Sequence, residues 1–538
     1  MNTIHQDTPL VINDIINLIK SFKPLPRWRK QDPNSDFTEV TFSFPDWSQL
    51  RGDKYKTTTT LNEYQKKLAK KTLQQWSDVA NIKFIEKDNQ YNTHIKFGVY
   101  NNINELNNDT HHLVGGSSFF PDYHIDLNKR IDVFEDYNKG GQVWINISVS
   151  KLLKWFKKAK ITKEKENDIN NFKKDSDYIS TYFVEDEDNI FLYRNINNNA
   201  HVNNDLLAPQ PGTYKEYVYR HELGHALGLP HTFKDNDTLT YSPQNSFMYS
   251  VMSYNHPHKE DADFNNNYPM SPMLLDIFVI QKFYGVNVTT RTGDTIYGFN
   301  SNTQRDYYSL TSSDDVIISC IWDAGGNDTL DFSKYNVNQK IDLNQGSFSD
   351  IGGLKSNISI AYGAIIENAI GGENNDQIIG NNVNNILFGH GGNDIIYGDD
   401  GDDKIYGGNG SDMLYGQEGN DFIHGGDGYD IISGGNGNNT LIGGKNADLF
   451  FFEINEMTNS HNKIMDMNIH EDYLIFINQN KISLGIEKLI SQNSISFKMH
   501  FQKEDNITRL EIKTQKQLDE PNLIIDIMGN FSYKDLFY

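Results

Sequence analysis

Apolar residues along this chain recur with different periods, and each period predicts a different kind of structure. Between residues 61 and 80 they fall at Leu61, Tyr64, Leu68, Trp76 and Val79, the spacing of a helix that lays one face on a sheet. Residues 82–85 and 94–99 alternate as half-buried strands do, the second reading His-Ile-Lys-Phe-Gly-Val. Residues 142–146 read as a further strand, and residues 115–121 as an edge strand or turn near a cleft. Helical spacing returns at residues 217–227 and at 272–284, the latter carrying Leu274, Leu275, Ile277, Phe278, Ile280 and Phe283. Helices mixed with strands up to about residue 290 predict an α+β domain.

Beyond residue 370 the period becomes nine. Units begin at Gly371, Gly380, Gly389, Gly398, Gly407, Gly416, Gly425, Gly434 and Gly443, in one unbroken register. The template is Gly-Gly-x-Gly-x-Asp-x-U-x, where U is Ile378, Leu387, Ile396, Ile405, Leu414, Ile423, Ile432, Leu441 or Phe450. The aspartate stands at Asp376, Asp394, Asp403, Asp412, Asp421, Asp430 and Asp448, with Asn385 and Asn439 in its place twice. A glycine-rich linker has no reason to space Ile and Leu by nine.

Each unit then makes one tight glycine turn and one short strand, and two units close one coil of a parallel β-roll with the U residues as a thin core. Stacked aspartates would repel without a counter-ion. Calcium takes six to eight oxygens and accepts carboxylates and turn carbonyls together. This pattern is the calcium-binding RTX repeat, with candidate ligands at Gly392, Asp394, Gly401, Asp403, Gly408, Gly410, Asp412, Gly419, Asp421, Gly426, Gly428 and Asp430. The module is expected to be loose without calcium and folded with it. Asn385, Val383 (where glycine is expected) and Asn439 compromise two units, so full sites are expected mainly between residues 389 and 432.

A length of 538 residues suggests two to four domains. The net charge of −23, from 49 basic and 72 acidic residues, is concentrated in the repeats, so it reads as cation binding and argues against nucleic acid. The single cysteine, Cys320, permits no intrachain disulfide, and its place in Val-Ile-Ile-Ser-Cys-Ile-Trp reads as a buried strand. No segment approaches ~18–20 uninterrupted apolar residues. The N-terminus lacks a basic region followed by an apolar run, so no Sec-type signal is visible. A short apolar patch, Leu10-Val11-Ile12 and Ile15-Ile16, reads as part of a propeptide over residues 1–24.

Chemistry concentrates at residues 221–231, which read His-Glu-Leu-Gly-His-Ala-Leu-Gly-Leu-Pro-His. On a helix His221 and His225 share a face. Gly228 lets the chain turn out of the helix and return His231 as a third ligand. Three imidazoles leave one position of a tetrahedral zinc open for water, and Glu222, beside the metal without binding it, can take a proton. Downstream stands Ser250-Val251-Met252-Ser253-Tyr254, in which Met252 supplies an apolar floor. The extended motif followed by a methionine turn is the metzincin pattern. The bland alternative is an amphipathic helix with buried histidines.

Two regions are less specific. Residues 151–205 open with a basic amphipathic stretch containing Leu152, Leu153, Trp155 and Phe156. They read either as a membrane-surface or partner-binding element or, more simply, as a solvated helix packed on the domain. His111, His112, His201, His256 and His258 lack ligand spacing and read as surface or loop residues.

With these motifs, the chain resembles the serralysins, secreted RTX zinc metalloproteases of Gram-negative bacteria, from about residue 40 to the end. Further shared stretches are residues 75–81 (Gln-Trp-Ser-Asp-Val-Ala-Asn), 290–300, 321–329 and 366–372. The resemblance implies a metzincin catalytic domain over residues 25–290, with an insertion at about 151–205. An all-β parallel β-roll would follow over 291–470, then a C-terminal β region over 471–538. It implies His221, His225 and His231 as zinc ligands, Glu222 as general base, and Tyr254 as a tyrosine that ligates zinc at rest and later stabilises the oxyanion. It implies a further calcium held by carbonyls of Arg291, Gly293 and Thr295 with Asp323, Gly325, Gly326, Asp328 and Glu367.

The resemblance also implies a monomer with protein or peptide substrates. Its partners would be a type I secretion transporter that reads the uncleaved C-terminus and a periplasmic or secreted inhibitor protein. The insertion, Thr232-Phe233 after the third histidine, and the aromatic terminus Asp-Leu-Phe-Tyr depart from the family's pattern. A narrow-specificity toxin protease and a non-enzymatic calcium-dependent RTX binding protein are the alternatives.

Overall fold

The structure, a computed structural model, describes residues 28, 30, 32–45, 58–59, 61, 63–88, 93–100, 116–118, 142–146, 180–186, 189–195, 212–232, 245–257, 261–453, 460–478, 481–484, 495–514 and 521–537. They divide between two compact units, one from residues 19–255 and 267–287, the other from 256–266 and 288–538. The segment read as a propeptide and the basic stretch at 151–160 lie outside the described residues, as do His111, His112, His201 and His258.

The first unit is built on a sheet of β1 (Thr38–Ser43), β2 (Thr58–Thr59), β3 (Ile82–Glu86), β4 (Ile95–Tyr100), β5 (Gly116–Ser118) and β6 (Gln142–Asn146). Its order is β3-β1-β4-β6-β5, with β2 beside β4. The path from β3 to β6 is parallel, while β5 runs antiparallel to β6 and β2 to β4. β5 is the edge strand that residues 115–121 suggested. Alternation along β1 buries Val40 and Phe42, whereas β4 buries Lys96 as well as Ile95 and Phe97, so it is not the half-buried strand its alternation suggested.

Helix α1 (Glu63–Val79) buries Leu68, Leu73, Trp76 and Val79. Tyr64 corrects the sequence reading of that face. It sits in the first turn, where the apolar stripe has not yet met the core, and is 63% exposed. Helices α2 (Tyr214–Ala226) and α3 (Leu274–Tyr284) complete the unit. α3 is tied to α1 by Gln281 Nε2, which donates to the Val79 carbonyl at 3.0 Å. Strands Ser180–Asp186 and Asn189–Asn195 pair as an antiparallel hairpin.

The second unit is the nine-residue repeat made visible. Strands pair in parallel with a step of two units. Ile378 stands beside Ile396, Leu387 beside Ile405, Ile396 beside Leu414, Ile405 beside Ile423, and Ile432 beside Phe450. Alternate units feed two different sheets, of eleven and eight strands. All nine U residues, from Ile378 to Phe450, are fully buried between them. Turn glycines are required where coils stack. Gly410 has φ +126°, and a Cβ there would run into the Gly392 carbonyl oxygen one coil away.

Cys320 lies buried in strand Ser319–Ile321. Beyond the repeats, Tyr473–Asn478 continues one sheet alongside Leu449–Glu453. Leu523–Met528 continues the other alongside Ser460–Ile464, and an antiparallel hairpin of Ile495–Gln502 and Ile507–Thr514 extends it. Among the described residues no helix is long and apolar enough to cross a membrane.

Candidate metal centre

α2 is held at its front by buried charge. Glu216 accepts from the Gly212 amide (3.1 Å) and from Lys71 Nζ (2.5 Å). Arg220 is fully buried one turn later and donates to Gln75 Oε1 at 2.8 Å and to the Pro269 carbonyl at 2.5 Å. The buried guanidinium is also paired in charge, its Nη2 3.5 Å from a Glu216 carboxylate oxygen. These contacts fix the rotation of the helix immediately before His221.

His221 Nδ1 lies 2.8 Å from the Val251 carbonyl oxygen, and His225 Nδ1 lies 2.7 Å from that of Leu229. A carbonyl can only accept, so each Nδ1 carries the proton and each Nε2 keeps its lone pair. Burial, with the neighbouring histidines second, holds His221 well below the ordinary imidazole range and brings His225 down to about 4. Both rings are therefore neutral, the form a metal needs.

Gly228, at φ +102°, turns the chain out of α2. His231 returns with its Nε2 3.0 Å from that of His225. One ligand nitrogen from each of the three histidines lies within 4.8 Å of the others. His221 Nε2 is buried with no hydrogen-bond partner among the described residues, a cost the protein does not bear without reason. A tetrahedral zinc with Zn–N of about 2.0–2.1 Å would space its ligands by roughly 3.3 Å, so this donor set fits such an ion.

Two further groups line the same place. Glu222 is buried beside His221. Tyr254, 57% exposed, brings its hydroxyl 2.7 Å from His231 Nε2 and stacks its ring on His221 with centroids 5.1 Å apart. Beneath them Met252 packs so tightly against α2 that a Cβ at Gly224 would fall 2.5 Å from its sulfur. Glycine between the two helical histidines is what admits the methionine floor.

Asp276 holds that floor, and sequence reasoning passed over it. It accepts from Ser250 Oγ (2.6 Å) and from the amides of Val251 (2.7 Å) and Met273 (2.9 Å). Complete burial pushes its carboxyl up to about 6, against the pull of those bonds. Its signal was its place three residues into α3, where a carboxylate caps a helix. Arg220 and Glu216 were also missed, because Gln75, Pro269 and Lys71, which hold them, lie far off in sequence. His256 is exposed in a loop and is not among the three histidines whose ligand nitrogens converge here.

The roll presents a second kind of centre. Amides of Asp376, Asp394, Asp412 and Asp430 each donate to Oδ1 of the aspartate 18 residues on, at 2.7–3.0 Å. In the other row Asn385 and Asp403 donate likewise to Asp403 and Asp421. Oδ2 of Asp394, Asp403, Asp412, Asp421, Asp430 and Asp448 is buried with no hydrogen-bond partner among the described residues. Burial pushes Asp394 and Asp403 up to about 8, and Asp421, Asp430 and Asp448 to about 7.

Rows of half-satisfied carboxylates beside the stacked turns of Gly392, Gly401, Gly408, Gly410, Gly419, Gly426 and Gly428 suit a cation that takes oxygen ligands. Asp376 differs, since its Oδ2 accepts from the Gly372 amide at 2.6 Å. Asn385 and Asn439 also differ, because each closes its own gap with an amide donor.

Near the start of this unit Asp328 Oδ1 accepts from the Thr295 amide (2.8 Å), while its Oδ2 is a buried orphan. Glu367 accepts from the Asp328 amide, Asp323 from the Gly325 amide, and Gly326 abuts the Gly293 carbonyl. Burial, with Asp323 and Glu367 adding repulsion, pushes Asp328 up to about 8. The Arg291 guanidinium donates to the Trp322 carbonyl and to the Tyr297 oxygen.

Comparison with known proteins agrees with this division. The matrixin family model matches residues 49–265, and the serralysin C-terminal model of peptidase family M10 matches residues 286–537. Serralysin C of Dickeya chrysanthemi is 49% identical over 183 residues, 32% of this chain and 38% of that one. Serralysin of Photorhabdus sp. (strain Az29) is 35% identical over 365 residues, 66% of this chain and 60% of that one. Serralysin of Proteus mirabilis is 35% identical over 357 residues, 63% and 59% of the two chains. This chain thus spans between 38% and 60% of these relatives' own length. Two models lying end to end, and relatives of one family name along two thirds of the sequence, make this protein a member of the serralysin family.

Proposed function

We propose that the protein is a secreted, zinc-dependent endopeptidase of broad protein specificity. The observation that carries this reading is the convergence of His221, His225 and His231 on one point beside Glu222 and Tyr254. His221, His225 and His231 would hold the zinc, with Tyr254 as a fourth, displaceable ligand. Zinc bound there supplies a Lewis acid for the scissile carbonyl and lowers the pKa of water to about 7.

The remaining steps belong to the chain. Glu222 takes the proton of the attacking water and delivers it to the leaving amine. Tyr254, on a largely exposed side chain, donates its phenolic hydrogen to the developing oxyanion. Val251 and Leu229, through their carbonyls, keep His221 and His225 in the tautomer that leaves Nε2 available.

Calcium in the roll and in the Asp323–Asp328–Glu367 cluster serves folding, and export by a type I transporter belongs to the same reading. The test is casein hydrolysis by wild type and Glu222→Ala, each with calcium, alongside zinc content. Activity in wild type alone, abolished by a zinc chelator, is the expected result. Turnover by Glu222→Ala would remove the mechanism, and wild type that binds no zinc would remove the function.

A further inference from the structure

The last turn of α2 leaves carbonyls that its own backbone cannot satisfy, as every helix end does. Those of Gly224 and His225 are met locally, by the amides of Leu229 (3.0 Å) and Gly228 (2.9 Å). The next two are met from far away. Trp28 Nε1 donates to the Ala226 carbonyl at 3.0 Å, and the Tyr284 hydroxyl donates to that of Leu227 at 2.7 Å. The two donors are themselves joined, the Trp28 amide donating to the Tyr284 oxygen at 3.3 Å. Trp28 is buried and meets the edge of the His94 ring, centroids 4.8 Å apart, so it cannot drift from this position.

Ala226 and Leu227 are the residues that link two metal-site histidines. His225 precedes them, and the turn that delivers His231 follows. From these contacts we infer that Trp28, seconded by Tyr284, is a positioning residue for the metal centre. It fixes the path between His225 and His231 and makes residue 28 part of the site's frame. The inference rests on the proposed zinc reading. It adds that Trp28, four residues beyond Pro24, must stay with any form of the chain that holds metal well.

Full-length Trp28→Phe removes the indole donor and keeps a smaller aromatic ring at this position. Tyr284→Phe removes the donor to the second carbonyl together with the acceptor of the Trp28 amide. Zinc affinity by chelator competition, the visible spectrum of the cobalt(II) form, and the urea midpoint of the metal-free protein are measured for each and for the double variant. About tenfold weaker zinc binding is expected in each single variant, within the range for groups that orient metal ligands. Shifted cobalt bands and a double-variant loss smaller than the product of the two complete the expected result.

A lowered urea midpoint with unchanged zinc affinity and cobalt spectrum in both variants would reduce the contact to ordinary packing and overturn the inference. Where Trp28→Phe fails to fold, Tyr284→Phe decides by the same readouts. Wild type that binds neither zinc nor cobalt would sink the functional reading itself, an outcome distinct from wild-type binding that the variants leave intact.

Discussion

The hydroxyl of Tyr254 stands 2.7 Å from Nε2 of His231, while its side chain is more than half exposed. A group held at the ligand nitrogens yet open to solvent is suited to leave when substrate arrives. Its value then lies in the transition state, where one donor to an oxyanion is worth roughly 100-fold in rate. Tyr254→Phe should therefore lower kcat by about that factor, with KM and zinc content little changed. Steady-state kinetics on a peptide substrate checks this, and a change confined to KM would assign Tyr254 to ground-state binding.

Glu222 is not expected to bind the metal, so its removal should separate binding from chemistry. Glu222→Gln should retain zinc and the wild-type melting temperature while losing about 10²–10⁴ in kcat, the usual worth of a general base. Loss of zinc in this variant would instead make Glu222 a ligand.

The legible and illegible parts of this protein divide by the range of the contacts involved. Ile396 and Leu414 announce the roll because each strand carries one inward residue and the coil repeats without interruption, so spacing alone fixes the register. His221, His225 and Gly228 are legible because helix geometry and one glycine turn decide where they point. Trp28 and Ala226 lie 198 residues apart, and Arg220 meets Gln75 across 145. No local period encodes such pairs. Asp376 fits the repeat template yet closes its carboxylate on Gly372 and Gln339, because the coil before it is not a full repeat.

The contrast between Asp412 and Asn439 makes a prediction about calcium. Oδ2 of Asp412 is buried and unpartnered, whereas the Asn439 amide donates to Asn462 Oδ1 at 3.0 Å. An amide brings its own donors, and a carboxylate needs a cation. Asp412→Asn should weaken calcium-induced folding, moving the midpoint of a calcium titration followed by circular dichroism to about tenfold higher calcium, while adding order to the calcium-free roll. An unchanged midpoint would place calcium elsewhere.

His94 predicts how the first unit responds to acid. Its Nδ1 accepts from the Thr41 amide at 3.0 Å and lies 2.7 Å from the Thr41 hydroxyl, whose oxygen in turn accepts from the His94 amide at 3.1 Å. Burial, and secondarily the nearby Lys96, bring the ring down to about 4 from an ordinary 6.5. The folded state thus holds His94 neutral while the unfolded chain protonates it below about 6.5, so stability falls as pH drops from there towards 4. A shift of this size corresponds to about 3 kcal/mol over the whole window, and it contributes nothing above about pH 7.

His94→Asn keeps an acceptor for the Thr41 amide and removes the titration. The urea midpoint of the metal-free variant should therefore depend less on pH between 4 and 6.5 than that of the metal-free wild type. Parallel profiles for the two proteins would mean that another group carries the acid sensitivity of this unit.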